Sequence, residues 1–174
     1  MDFHKHALIL AMIEELQRQQ SRTGKTHIIK GMLLAKAANC LEVPFSFFLY
    51  KHGPYSTDIE HNLEEMQSYG AITVEPAFDG YGVILKPGEM APFVRAQAPL
   101  SPVEVRGIQR VCQFVQSKNV SQLERLATAA WIRTFLRIHE PEAVAQKLNA
   151  LKPHIPLTDA YEADRDVIAF LGNN

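Results

Sequence analysis

The feature that most constrains this chain is a change of hydrophobic period at Gly70. Up to that glycine, apolar residues recur every three or four positions, which is the period of a helix face. These positions are Ile59, Leu63 and Met66. After it, apolar and polar residues alternate over 71–86 around a turn at Asp79-Gly80, as in a β-hairpin. The sequence therefore predicts a helix over 56–69, closed by Gly70, that leads directly into a hairpin.

Two more helices are predicted upstream, over 3–20 and 25–39, from apolar residues at helical spacing. The aromatic-rich segment 45–50 follows, and we expect it to be buried. A turn that contains Gly-Pro, over 51–56, then leads into the third helix. The order of helix, helix, buried segment, helix and hairpin is that of a winged helix-turn-helix.

Capping residues mark the expected helix starts. Ser56 or Thr57 begins the third helix, and Thr57 has a glutamate three residues later, which is the capping-box pattern. The same pattern occurs at Ser101 and at Ser121. Thr158 is the expected cap of the last helix.

The second half of the chain is predicted to be helical throughout. Four prolines within 87–102 indicate a loop or linker before it. We expect a winged-helix domain over 1–90, a Pro-rich connector over 91–100 and a C-terminal helical subdomain over 101–174. The fold class is thus mainly α with a small β-hairpin. The C-terminal helices either pack on the first half or form a homodimer interface.

Charge and cysteine content exclude several classes of protein. The formal net charge is -1, from 18 basic and 19 acidic side chains, so the chain lacks the basic bias of proteins that coat nucleic acid or anionic membranes. Its longest purely apolar run, 7–13, is shorter than the roughly 20 residues of a membrane span. Cys40 and Cys112 are far apart, which argues against a disulfide scaffold or a thiolate zinc site. Without the marks of a secretory signal, a cytoplasmic protein is expected.

No motif points to catalysis. Residues 23–26 (Thr-Gly-Lys-Thr) match the end of a phosphate-binding P-loop, but Gln19 stands where that motif needs glycine. The histidines lack metal-site spacing, and no nucleophile elbow occurs. A hydrolase acting on nucleotides or nucleic acid would require a metal site that the sequence does not offer. We therefore expect no catalytic residue, no metal, no cofactor and no enzymatic activity.

The predicted third helix is acidic on its outward face. A DNA-reading helix normally offers Arg, Lys, Asn and Gln, whereas no Lys or Arg occurs between Lys51 and Lys86. Our first hypothesis is a non-enzymatic interaction module whose acidic helix docks on a basic surface of a partner protein. The expected partner-binding residues are Tyr55, Asp58, His61, Glu64 and Glu65.

The alternative is a dimeric DNA-binding transcriptional regulator. The turn before the third helix and the end of the hairpin could together hold a phosphate, through basic side chains and backbone donors at the helix start. The residues that would do so are Lys51, His52, Ser56, Thr57 and Lys86.

Residues 48–56 (Phe-Leu-Tyr-Lys-His-Gly-Pro-Tyr-Ser), followed by Gly-Ala-Ile at 70–72, carry a resemblance. They resemble the YwgA-like family of bacterial winged-helix proteins and, more distantly, the Panacea-domain antitoxins. Residues 123–128 and 152–155 are similar to the YwgA-like C-terminal part. The resemblance implies a winged helix in a toxin–antitoxin, phage-defence or regulatory setting, with a toxin or defence effector as partner. It implies no catalytic residue.

Overall fold

The helical periodicities of the sequence are realised as eight α-helices, joined by two antiparallel sheets of two strands each, in a computed structural model that describes residues 1–172. The mainly helical class with a small hairpin is confirmed. In chain order the elements are α1 (Phe3–Arg18), α2 (Lys25–Ala37), β1 (Phe48–Tyr50), β2 (Gly53–Tyr55), α3 (Thr57–Ser68), β3 (Ile72–Pro76), β4 (Val83–Pro87), α4 (Ala91–Gln97), α5 (Pro102–Val115), α6 (Val120–Thr134), α7 (Pro141–Leu151) and α8 (Leu157–Gly172).

Helix α1 is the central element of the first half. It is apolar around most of its circumference, a pattern typical of a helix packed on several sides, and it contacts α3, α4, α5 and β4. Leu8, Ile9 and Leu10 have no exposed surface. Burial of each such side chain contributes about 1.5–3 kcal/mol. The hydrophobic core continues without a break from α1 to Phe170 in α8, so the two halves of the chain share one core.

The hairpin after α3 forms as the alternating pattern predicts. Gly70 follows α3 with φ of +80°, a left-handed conformation that glycine adopts at low cost. Strands β3 and β4 then pair antiparallel along their whole length. Their connection is the loop 77–82 rather than a tight two-residue turn. Arg22 holds this loop through two hydrogen bonds to Asp79, at 2.7 and 3.3 Å.

The segment between α1 and α2 also joins this hairpin. The Leu85 backbone N–H donates to the Thr23 carbonyl at 3.0 Å, and the Thr23 hydroxyl donates to the Leu85 carbonyl at 2.7 Å. Thr23 is only 2% exposed. These two hydrogen bonds place a third extended segment against β4.

The expectation that 45–50 is buried throughout is wrong for part of that segment. Phe45 is 1% exposed, but Phe48 and Tyr50 are 42% and 53% exposed. The reason is a second hairpin, in which β1 pairs with β2 and Phe48 lies opposite Tyr55. The predicted turn before the third helix therefore contains both the tip of this hairpin and its second strand, β2.

Ser56, one of the two predicted caps of α3, is confirmed, because its hydroxyl accepts a hydrogen bond from the Ile59 backbone N–H at 3.1 Å. Thr57 is the first residue of α3 and not its cap. Thr158 lies inside α8 instead of capping it. The capping box that begins at Ser101 is confirmed.

The N-cap of α6 lies two residues earlier than predicted. Asn119, and not Ser121, is the N-cap, and it forms a capping box with Gln122. Asparagine is a strong N-cap residue, and it precedes the serine in the chain. Glu124 is consequently not used in capping, and it lies buried on α6 with 7% of its surface exposed.

The Pro-rich stretch predicted as a loop contains helix α4. Pro92 lies in the first turn of α4, where a proline costs no intrahelical hydrogen bond. Ala91 and Val94 are buried, with 1% and 0% of their surfaces exposed, and the helix packs on α1. Among the helices within residues 1–172, none is both long and apolar enough to cross a membrane.

Helix α5 crosses the end of α2 at a very short distance, which Gly107 permits. A methyl group at this position would lie 2.5 Å from the Cys40 carbonyl oxygen. We expect Gly107→Ala to lower the free energy of unfolding by about 2 kcal/mol, because α5 would have to move away. Urea unfolding measures the change. The matched control is Gly172→Ala, since a methyl group there would meet no atom within 4 Å among residues 1–172, apart from its chain neighbours and the backbone of its own helix; equal stability of the two variants would contradict the close crossing.

Candidate functional site

Two buried lysines hold the β1–β2 hairpin by its backbone. Lys30 of α2, 4% exposed, donates from Nζ to the carbonyls of His52 at 2.7 Å and Pro54 at 2.5 Å. Lys152, which follows α7 and is 5% exposed, donates to the Tyr50 carbonyl at 3.0 Å and to the carbonyl of the next residue. Four carbonyls of one short hairpin thus accept hydrogen bonds from two ammonium groups.

Glu124 supplies the negative charge of this cluster. Its Oε1 lies 3.5 Å from Lys152 Nζ and 3.5 Å from His154 Nε2. Burial lowers the pKa of Lys30 to about 8, an effect that Glu124 opposes and Lys152 reinforces. Two buried cations therefore share one carboxylate, an arrangement that is costly unless the ammonium groups find acceptors. The hairpin carbonyls are those acceptors.

Gly53 lets the hairpin lie directly on α6. Its φ is +83°, and a side-chain carbon there would be 2.7 Å from the Thr128 hydroxyl oxygen and 3.5 Å from Lys30 Nζ. Both the backbone conformation and the space favour glycine. Residues 48–56, 123–128 and 152–155, which the sequence analysis singled out separately, meet at this point.

The outer face of the hairpin carries three aromatic rings, here called the aromatic triad: Phe48, Tyr50 and Tyr55. Their centroids are 5.9–6.0 Å apart, with the tilted and edge-on geometry that aromatic pairs prefer. Burial and a hydrogen bond with Glu60 raise the pKa of Tyr55 to about 12. The phenol thus remains protonated and donates to the carboxylate. The triad is a fixed, partly exposed apolar surface at the edge of α3.

The acidic face of α3 is largely paired, which differs from the free acidic face that the sequence suggests. Asp58 lies 2.9 Å from Lys5 Nζ, and Glu60 lies 3.5 Å from the ammonium of the first residue of α2. Glu65 lies 3.1 Å from Nε2 of His6, a ring whose pKa is lowered by burial and which is therefore neutral at neutral pH. The cations beside Asp58 and Glu60 come from α1 and α2, whose charges do not show in the pattern of α3 itself.

Of the carboxylates on this face, Glu64 has no ion-pair partner within residues 1–172. It is exposed, and its charge acts on the nearby Tyr55 phenol. His61 is also exposed. Of the predicted partner-binding residues, Tyr55, His61 and Glu64 therefore remain accessible without an ion-pair partner in the part of the chain that the structure describes. The rings of Phe48 and Tyr50 extend this surface, although the sequence predicts no role for them.

The structure does not present all residues of the alternative, DNA-binding set. Ser56 is fully buried and its hydroxyl is used as the cap of α3. Lys86 on β4 lies 2.6 Å from Glu75. Lys51 and His52 are exposed at the tip of the β1–β2 hairpin, and Thr57 is exposed in the first turn of α3.

Lys30, Glu124 and Lys152 were not selected from the sequence. One available signal is that Lys30 interrupts an apolar helical row at 28–34, where a charged side chain must find a partner. Glu124 and Lys152 have no such signal. Among residues 1–172, no group of three His, Cys, Asp or Glu side chains is placed to hold a metal ion.

The hydrogen bonds of Lys152 generate a stability prediction. Lys152→Met leaves the Tyr50 and Lys51 carbonyls without a buried donor. It also removes the ammonium group that lies 3.5 Å from Glu124 Oε1, so the free energy of unfolding is expected to fall by about 3 kcal/mol. Urea unfolding followed by circular dichroism measures it. Lys147→Met is the control, because Lys147 is exposed on α7 and its loss should change stability little. Equal effects in the two variants would show that the hydrogen bonds of Lys152 contribute nothing to the stability of the fold.

The lowered pKa of Lys30 generates a pH prediction. The folded chain releases this proton near pH 8, and the unfolded chain near 10.5. Between these values the unfolded chain holds more protons, so the contribution of Lys30 to the free energy of unfolding rises with pH. In NMR of ¹³C-lysine-labelled protein, we expect one Cε resonance to titrate near pH 8 and to vanish in Lys30→Met. If every lysine resonance titrates above about pH 9.5, the lowering of the Lys30 pKa by burial is refuted.

No protein-family model matches this chain, and no curated protein matches it significantly in sequence. The function therefore has to be inferred from the chemistry of the site. That chemistry consists of an aromatic surface, one unpaired carboxylate beside it, and the buried ions that hold both in position.

Proposed function

We propose that this chain is a non-enzymatic winged-helix interaction module that binds a partner protein through the aromatic triad and the adjacent exposed face of α3. The observation that carries the proposal is the triad itself. Three aromatic rings are fixed on a hairpin that two buried lysines hold by its backbone. Such a surface loses little conformational entropy on binding.

The connections of the first half support the winged-helix part of the proposal. A winged helix has three helices followed by a hairpin, and a short extended segment between its first two helices pairs with that hairpin. Here α1, α2 and α3 precede β3–β4, and Thr23 is bonded to Leu85 of β4. The β1–β2 hairpin is an addition between the second and third helices.

The composition of the exposed surface supports a protein partner with basic side chains. Tyrosine is enriched among residues that dominate binding energy in protein interfaces. Glu64 adds an unpaired negative charge near Tyr55, and arginine both pairs with carboxylates and stacks on aromatic rings. A partner segment that carries arginine would satisfy both features at once. The carboxylate then contributes orientation and association rate more than affinity.

The resemblance of residues 48–56 and 70–72 implies an antitoxin-like or phage-defence setting for this binding. The partner would then be a toxin or a defence effector, and binding would act by covering a functional basic surface on it. The alternative, a DNA-binding regulator, retains Lys51, His52 and Thr57 as exposed contacts but has Ser56 buried and Lys86 paired. The protein-binding function is therefore the one that the geometry supports better.

Removal of one ring of the triad tests the proposal. The chain is co-purified from its native host, the retained protein is identified and produced separately, and its affinity is measured by calorimetry. We expect Tyr50→Ser to weaken binding at least about tenfold, which corresponds to about 1.4 kcal/mol. The matched control is Tyr161→Ser, because Tyr161 is 42% exposed on α8, away from the triad, and should leave the affinity unchanged.

Charge reversal at one position separates the two functions. Glu64→Lys is expected to weaken a basic protein partner, whereas a DNA-binding chain would gain affinity from the same change. A mobility shift with DNA from the upstream region of its own gene, measured over a salt series, provides the comparison. Tight DNA binding that falls steeply with salt and is lost in Lys51→Glu would refute the protein-binding proposal.

A further inference from the structure

A cavity of about 360 Å³ lies beside the β1–β2 hairpin, and two of the three rings of the aromatic triad form part of its wall. The proposed partner binding does not use the polar groups of this cavity. Its lining comes from α2, from the hairpin and from the first turn of α6. Tyr50 and Tyr55 contribute aromatic walls, and Ile29 and Val120 contribute aliphatic ones. The volume lies in the range of small-molecule sites, and such sites combine apolar walls with a few polar groups.

The cavity contains a buried donor and a buried acceptor. Lys30 uses two of its three N–H groups on hairpin carbonyls, which leaves one donor. Glu124 is 7% exposed, and its Oε1 accepts no hydrogen bond within residues 1–172. Both side chains line the cavity. A buried carboxylate oxygen without a hydrogen-bond donor is unfavourable, so a ligand that donates to Glu124 and accepts from Lys30 would satisfy both.

The charge around the cavity favours an anionic ligand. Lys25 and Lys30 line it, and Lys152 lies close behind. These three ammonium groups face two carboxylates, that of Glu124 and that of Glu60, which lies 3.5 Å from Lys25. Lys25 and Thr26 are also the first residues of α2, whose N-cap, Gly24, has no side chain to accept from the first backbone N–H groups. This helix start therefore adds positive potential and unsatisfied donors to the same wall.

We propose that this cavity binds a mononucleotide. The base lies against the rings of Tyr50 and Tyr55, and one of its edges, which carries a donor next to an acceptor, faces Glu124 and Lys30. The phosphate lies at the start of α2, near Lys25. An organic amine would be repelled by the excess of lysines, and a simple inorganic anion would leave the aromatic walls and Glu124 unsatisfied.

Calorimetric titration of the full chain tests the proposal, with the 5′-monophosphates of adenosine, guanosine, cytidine and uridine as probes. We expect at least one of them to bind with a Kd below about 1 mM, and inorganic phosphate and ribose 5-phosphate to bind at least about tenfold more weakly. Failure of all four nucleotides to bind overturns the proposal. Phosphate binding as tight as nucleotide binding also overturns it, because the site would then be a simple anion site.

Two variants locate the binding. Val120→Trp places a large ring in the cavity and is expected to weaken nucleotide binding at least about tenfold. Its matched control is Val103→Trp, since Val103 is 58% exposed in the first turn of α5 and lies outside the cavity. Lys25→Gln removes a charge from a side chain that is 40% exposed and should weaken binding without unfolding the chain. Unchanged affinity in Lys25→Gln overturns the assignment of the phosphate position, and with it the proposal.

Discussion

The structure depends on how the chain accommodates two buried ammonium groups. Lys30 reaches the β1–β2 hairpin from α2 and Lys152 reaches it from the end of α7, and each donates to two of its carbonyls. Burial of an ammonium group removes its hydration, and this loss has to be offset by acceptors and by an opposite charge. The hairpin provides the acceptors and Glu124 provides the charge. The position of the exposed aromatic rings, and that of the cavity which two of them line, both follow from this fixed backbone.

Most of the helices were accessible from the sequence because each of them carries an apolar stripe of helical period. The β1–β2 hairpin was not, since strands of three residues are too short for alternation to show. The buried ions were missed for a different reason. Lys152 bonds to residues 101 and 102 positions earlier in the chain, and no local pattern encodes such a contact. Ser121 and Glu124 fit a capping box in the sequence, whereas Asn119 caps α6 and Glu124 is left to the buried cluster.

The charge of the α3 surface cannot be derived from the sequence of α3 alone. Its carboxylates suggest a strongly negative surface, but α1 and α2 place cations against Asp58 and Glu60, and the buried ring of His6 lies against Glu65. The surface that remains for a partner is smaller and more specific than the whole acidic face, because it consists of Glu64 and the three aromatic rings beside it. The binding hypothesis therefore persists on different grounds, with ring surface as its main component and charge as the minor one.

The bonds from Lys152 to the hairpin join one half of the chain to the other, and the common core from α1 to α8 does the same. A fragment that ends before α6 would retain the hairpin but lose one of its two ammonium donors and the carboxylate of Glu124. Evolutionary exchange of the first ninety residues between proteins would therefore have to transfer the later helices as well. A few buried charges therefore require the two halves to be inherited together, although their helices could otherwise diverge separately.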